Sequence, residues 1–215
     1  MEETADAGGR HAFRTWVAVA AVIVLVSLAV WIGFAAQQRA QVHVFFDAAP
    51  VECDAGDMTV EAIDIGLGEG RTQVIIDATE DVDCRLRFHV ENHGRVAATL
   101  RNVVLPLHGE TAGGSLQAVH LSPLGIEPLA EDEDGFPALD AVFPSDYRLE
   151  PAAGIELSLH LRFNADGCMS PGSMGTNGRG PVVDVEVLGR RGERAPVATL
   201  FTQRGTADSD CSPGG

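Results

Sequence analysis

Apolar and polar positions fall into three successive patterns along the chain. The first is unbroken. Residues 15–36 are 22 positions without a charge, and their only polar groups are Thr15, Ser27 and two indole N–H groups. At about 1.5 Å per residue they reach roughly 33 Å, enough to cross a hydrocarbon core of about 30 Å. The segment is apolar on every face, whereas a helix on a soluble domain has one apolar stripe. Trp16 and Trp31 lie near its two ends, where an indole buries its ring and keeps its N–H near water. The run is longer than the core of about 7–15 residues in a cleaved signal peptide. A weak cleavage pattern is present at Gly33-Phe34-Ala35. The sequence therefore predicts one transmembrane helix over 15–36.

The second pattern has period two. Cys84, Leu86, Phe88 and Val90 alternate with Arg85, Arg87, His89 and Glu91. Ile155, Leu157, Leu159, Leu161 and Phe163 alternate with Glu156, Ser158, His160 and Arg162, and Val183, Val185 and Val187 with Asp184 and Glu186. Such alternation is a strand with one face buried. Further strands are expected at 41–47, 58–65, 71–77, 96–105, 116–121, 139–143 and 195–203. The third pattern is the punctuation between them: Gly66–Gly70, Asn92-His93-Gly94, Gly113-Gly114 and Gly189–Gly192. No helical stripe follows residue 40. Many short strands with Gly and Pro turns imply a sandwich or barrel.

Two of the turns carry a resemblance. Phe88-His-Val-Glu-Asn-His-Gly94 resembles the "apolar-x-apolar-x-Asn-x-Gly" strand and turn of bacterial immunoglobulin-like domains, and Leu149-Glu-Pro-Ala-Ala-Gly154 resembles their "Leu-x-Pro-x-Gly" turn. Asn and Gly tolerate positive φ, and Pro presets a turn. The resemblance covers residues 71 to 203. It implies an all-β, immunoglobulin-like antiparallel β-sandwich (a Greek-key arrangement) behind the transmembrane helix. No tryptophan follows residue 31, a departure from antibody-type domains. The residue usage, rich in Ala, Val, Gly and Arg and free of lysine, resembles that of high-GC actinobacterial proteins.

Composition and charge narrow the function. The formal net charge is −16, of which residues 37–215 carry −15. Such a surface repels phosphate backbones, so nucleic acid is not an expected partner. All 15 basic residues are arginine, which excludes a Walker-type loop, a Schiff-base lysine and a Ser–Lys pair. Charge is also uneven: residues 47–83 hold 11 acids and only Arg71, whereas 84–101 hold four arginines and Glu91. One reading of the first block is an acidic membrane-proximal region that stands off from anionic headgroups.

Arg10 and Arg14 precede the span and Arg39 follows it, which favours the amino end inside. All four cysteines, Cys53, Cys84, Cys168 and Cys211, follow the span, and an even set suits disulfides in an oxidising compartment. Four cysteines allow three pairings. The resemblance makes strands 84–91 and 154–163 antiparallel neighbours and implies Cys84–Cys168, leaving Cys53 for Cys211. Pairing by nearness instead gives Cys53–Cys84 and Cys168–Cys211.

Several segments are candidates for chemistry. Met169 and Met174 flank the loop after Cys168, and soft sulfur with His160 would suit Cu(I); the plain alternative is a loop with one disulfide cysteine. His89 and His93 span a strand and its turn, positions that suit a solvent-facing and a turn histidine better than a metal pair. Glu131-Asp132-Glu133-Asp134-Gly135 is an acidic loop able to attract Ca²⁺, but Ala130 stands where the twelve-residue calcium loop has its first ligand. The enzyme alternative is a sortase-like cysteine transpeptidase using His108 or His120, Cys168 and Arg179. The Thr-Leu-x-Thr-Cys strand of those enzymes is absent.

The organisation expected is a cytoplasmic tail at 1–14, the span at 15–36, a linker and first strand at 37–57, the sandwich at 58–205 and a tail at 206–215. The function expected is a membrane-anchored extracytoplasmic domain, not an enzyme, with an interaction or structural role in the cell envelope. Its partners would be membrane lipid along 15–36 and an envelope protein held by loops 122–138 and 164–180; no cofactor or resident metal is expected. A metal or small-ligand carrier is the alternative, and the sortase-like enzyme comes third.

Overall fold

Helix α1 (Ala7–Ala40) takes up the apolar run and continues one turn past it. The computed structural model describes residues 7–54, 58–63, 71–106, 114–125, 127–129, 138–144, 147–176, 180–196 and 201–210. Within Trp16–Ala40 of α1 the most apolar 18-residue window has a mean hydropathy of 2.8, and none of that window is buried. The helix is long and apolar enough to cross a membrane.

Every regular element after Ala40 among the described residues is a strand. A first sheet runs β1 (Val42–Cys53), β4 (Asp83–Asn92), β10 (Gly154–Phe163), β6 (Leu116–Ser122), all antiparallel neighbours. A second runs β11 (Met174–Thr176), β14 (Phe201–Gly205), β3 (Arg71–Ala78), β2 (Met58–Ile63), in which β14 and β3 are parallel. A third runs β13 (Arg190–Arg194), β12 (Val182–Val187), β5 (Ala98–Pro106), β8 (Ala138–Val142), β7 (Glu127–Leu129), and β9 (Arg148–Leu149) also pairs with β5.

The alternating strands read from the sequence form the centre. In the β4–β10 pair, Phe88 faces Leu157, Leu86 faces Leu159 and Cys84 faces Leu161, and all six are buried. The third sheet adds Leu100, Val103, Leu105, Ala141, Val183, Val185 and Val187 to the same core cluster. Leu100 and Val103 are three apart, so strict alternation would turn one of them outward. A register shift between β12 and β5 pairs Val183 with Val103 and Val185 with Leu100. The extra residue of such a bulge lets both side chains face inward. A second shift, in β10–β6, leaves Val119 and His120 both exposed between buried Ala118 and Leu121.

Some expectations change. The segment 189–192 is not a turn: the reversal is Leu188-Gly189, with φ of 52° and 74°, and the charged run Arg190–Arg194 forms edge strand β13. A two-residue hairpin turn with both φ values positive matches the twist of its strands, and an edge strand tolerates a charged sequence. Short strands β7 and β11 lie inside the expected loops 122–138 and 164–180. The favoured Cys84–Cys168 pairing is also replaced. The neighbourhood of β4 and β10 holds, and Leu161 near the end of β10 does lie beside Cys84. But β4 has a second neighbour, β1, whose antiparallel register places Cys53 directly opposite Cys84. Those two are bonded, with Cα atoms 4.0 Å apart. Cys168 is disulfide-bonded too; Cys211 lies outside the described residues.

Candidate functional site

Two surfaces bring together side chains far apart in sequence: the junction where α1 meets the strands, and the outer face of the first sheet.

The junction is short because only Gln41 separates α1 from β1. A helix ends with carbonyls that have no partner within the helix; here Gln41 and Arg194 meet two of them, and His93 meets the carbonyl of the residue that follows. The Gln41 N–H donates to the Gln38 carbonyl (3.1 Å), and the His93 N–H donates to the Gln41 carbonyl (2.9 Å). Arg194 Nε donates to the Arg39 carbonyl at 2.8 Å, and the Arg39 guanidinium donates to the Arg191 carbonyl. Buried Gln38 accepts the Arg95 N–H on Oε1 at 2.6 Å. Arg39 runs across Gly192, where a Cβ would stand 2.7 Å from its Cζ. Burial, and then the Arg39 charge beside it, hold the Arg194 pKa below the ordinary arginine value.

The turn beneath this junction is built on Asn92. Its buried Nδ2 donates to the carbonyls of Val96 and Leu149, both at 2.9 Å, and its Oδ1 accepts the Gly94 N–H at 2.9 Å. The Asn-x-Gly pattern was expected to serve positive φ. Neither residue has it; the positive φ in the second motif falls on Ala152, at 60°. Gly94 is needed for room instead, since a Cβ would lie 2.9 Å from Asn92 Oδ1 and 3.0 Å from Gln38 Oε1.

The outer face of the first sheet is polar because the pleat sends alternate residues away from the core. His43 and His93 rings lie 4.9 Å apart, His93 is 2.7 Å from Glu91, and Phe45 stacks on His89 at 5.3 Å. His89 lies 4.0 Å from Glu156. Further along, His160 and Arg162 both contact Asp83, and Arg87 pairs with Glu52. Hydrogen bonding from His160 is the main cause holding the Asp83 carboxyl below its ordinary value, with burial opposing and Arg162 assisting. In the third sheet Glu186 is held low chiefly by hydrogen bonds from Arg101 and then Arg191.

The sequence-predicted candidates do not assemble into one site. His160 is engaged with Asp83 on the sheet face. Met169 instead follows Cys168 into a segment tied to Ser209: the Met169 N–H donates to the Ser209 carbonyl at 2.9 Å, and Ser209 Oγ donates to the Met169 carbonyl at 3.0 Å. Met174 is exposed on β11. His120 lies on the outer face of β6, opposite His160. Cys168 is disulfide-bonded, which removes the thiolate that a cysteine transpeptidase requires. His108, Arg179 and the acidic loop 131–134 lie outside the described residues. Among the described residues no group of three or more His, Cys, Asp or Glu side chains is placed to hold a metal ion. Trp16 and Trp31 are both exposed along α1. Sequence reasoning missed the junction set of Gln38, Arg39, Arg95 and Arg194. Its traces were Gln37-Gln38-Arg39 behind the apolar run and the Arg-rich 190–194 segment, but they are 155 residues apart where they meet.

No family model and no curated protein matches the sequence. Among solved structures, a GH20 exo-β-N-acetylglucosaminidase from Vibrio harveyi in complex with N-acetylglucosamine, and an inactive mutant of it, align with a TM-score of 0.38 and 10% identity. The alignment covers 75% of this chain and 18% of theirs. The chain thus spans under a fifth of the length of those enzymes, and the likeness is too slight to inform fold or activity.

Proposed function

We propose that the protein is a single-pass membrane protein that displays an immunoglobulin-like β-sandwich outside the cytoplasm, with an interaction or structural role in the cell envelope. The observation that carries this reading is the direct passage from an apolar, unburied helix into a disulfide-bonded strand through one residue. The helix supplies the anchor. The Cys53–Cys84 bond supports an oxidising compartment, and with it the amino end inside. The sandwich reading is supported by the first and third sheets, which share one core cluster to which the second adds Ile76 and Ala78, with β4 and β10 as antiparallel neighbours. A partner would be held by residues 122–138 and 164–180, where Pro171 and Met174 are exposed.

The test is membrane fractionation of the full chain with external protease. The reading expects the chain to resist carbonate extraction, with its body digested from outside and its Cys53–Cys84 bond formed before lysis. A body cleaved only after the cells are opened would reverse the topology. Recovery of a partner that survives replacement of both segments would move the contact surface elsewhere.

A further inference from the structure

The junction holds positive charge that no carboxylate among the described residues neutralises. Arg39 and Arg194 come together from positions 155 apart in sequence, and both are only half-exposed. Each guanidinium donates to a backbone carbonyl. Among the described residues, no carboxylate forms an ion pair with Arg39, Arg95 or Arg194. The acids nearby are engaged: Glu186 with Arg101 and Arg191, Glu91 with His93, and Glu193 with a partner of its own. Two like charges held together and partly desolvated are unfavourable unless an anion joins them.

The position of the pair indicates which anion. Arg39 lies three residues beyond Ala36, the end of the apolar run. At about 1.5 Å per residue that is roughly 4.5 Å past the hydrocarbon boundary, inside a headgroup layer of about 5–7 Å on each side. The Arg95 backbone stands at the same level, because its N–H is bonded to the Gln38 side chain one residue from Arg39, and its exposed side chain is long enough to reach the same headgroups. Guanidinium groups present forked donors that match phosphate oxygens.

We propose that Arg39, Arg95 and Arg194 form a collar that binds the phosphates of anionic phospholipid headgroups in the leaflet adjoining the β domain, fixing the domain against the bilayer. The inference rests on the membrane-anchored reading but not on its orientation. It replaces the stand-off expected from the acidic segment 47–83: what packs on the helix end is β12, β13 and the start of β1. A chain of net charge −16 thereby meets the membrane with arginine.

The test uses the full chain in nanodiscs of equal phosphatidylglycerol and phosphatidylcholine, with Arg10→Gln and Arg14→Gln throughout to silence the other leaflet. Native mass spectrometry reads the ratio of the two lipids retained on the released protein. The collar predicts a phosphatidylglycerol preference that falls about fivefold for each arginine replaced by glutamine, and that falls in 0.5 M salt without any substitution. Arg95→Gln separates charge from packing, since its backbone N–H still reaches Gln38; its unfolding midpoint should equal that of the parent. An unchanged ratio in the Arg39→Gln, Arg95→Gln, Arg194→Gln triple variant overturns the collar while leaving the anchor intact. A chain that never enters nanodiscs overturns both.

Discussion

Truncating Asn92 tests whether the turn under the helix junction is held by that side chain. Asn92 is 1% exposed and makes three hydrogen bonds with backbone groups: two donated from Nδ2 to Val96 and Leu149, one accepted by Oδ1 from Gly94. Each such bond contributes about 0.5–1.5 kcal/mol net, and a partner left buried without one costs about 1–3 kcal/mol. Gly94 is half-buried and regains water; the Leu149 carbonyl belongs to a buried residue and does not so readily. Asn92→Ala should therefore destabilise the β domain by about 3–5 kcal/mol, at the high end for a single substitution. Asn92→Asp is the sharper variant. It keeps an acceptor for Gly94 but aims an anionic oxygen at two carbonyl oxygens, so at neutral pH it should be at least as damaging as alanine. Pulse proteolysis of the full chain in detergent across a urea series measures this without interference from α1, because it reports the folded fraction of the strands. An Asn92→Ala cost under about 1 kcal/mol, or an aspartate variant as stable as the parent, would refute the reasoning.

Other outcomes follow from the same contacts. Non-reducing peptide mapping should recover Cys53 bonded to Cys84, and replacing both by serine should cost about 3.7 kcal/mol for a separation of 31 residues in the chain-entropy account; a Cys84–Cys168 peptide would contradict the register of β1. Ala152 holds φ at 60° on an exposed turn, so Ala152→Gly should stabilise the domain by about 0.5–1 kcal/mol, read as a higher urea midpoint. Asp83 and Glu186 are held below their ordinary values of 3.8 and 4.5. Depressed carboxyl pKa values contribute stability that is complete above those values and lost as pH falls through the folded-state values. The urea midpoint should therefore drop below about pH 4, and Asp83→Asn should flatten that acid limb; an identical limb in the variant would show that Asp83 is not responsible.

Elements whose signal is periodic and local could be read directly from the order of residues. The uncharged run predicted α1, and the alternation at 84–91, 155–163 and 183–187 located β4, β10 and β12 with their buried faces. Both signals follow from the rise of a helix and the pleat of a strand alone. Whatever depends on which neighbour a strand acquires emerged only in the folded chain. Cys84 pairs with Cys53 because β4 lies between β1 and β10, and sequence spacing does not reveal that order. The run Arg190–Arg194 becomes a strand only because β12 supplies its hydrogen bonds; its composition alone reads as a turn. The Asn-x-Gly motif was visible, but its reason was not: Asn92 bridges Val96 and Leu149, and Gly94 makes room for Gln38. The arginine junction was the least legible feature of all. Arg39 and Arg194 carry no periodicity and share no motif, and they meet only when the last turn of α1 docks on the edge strand of a sheet completed by the far end of the chain.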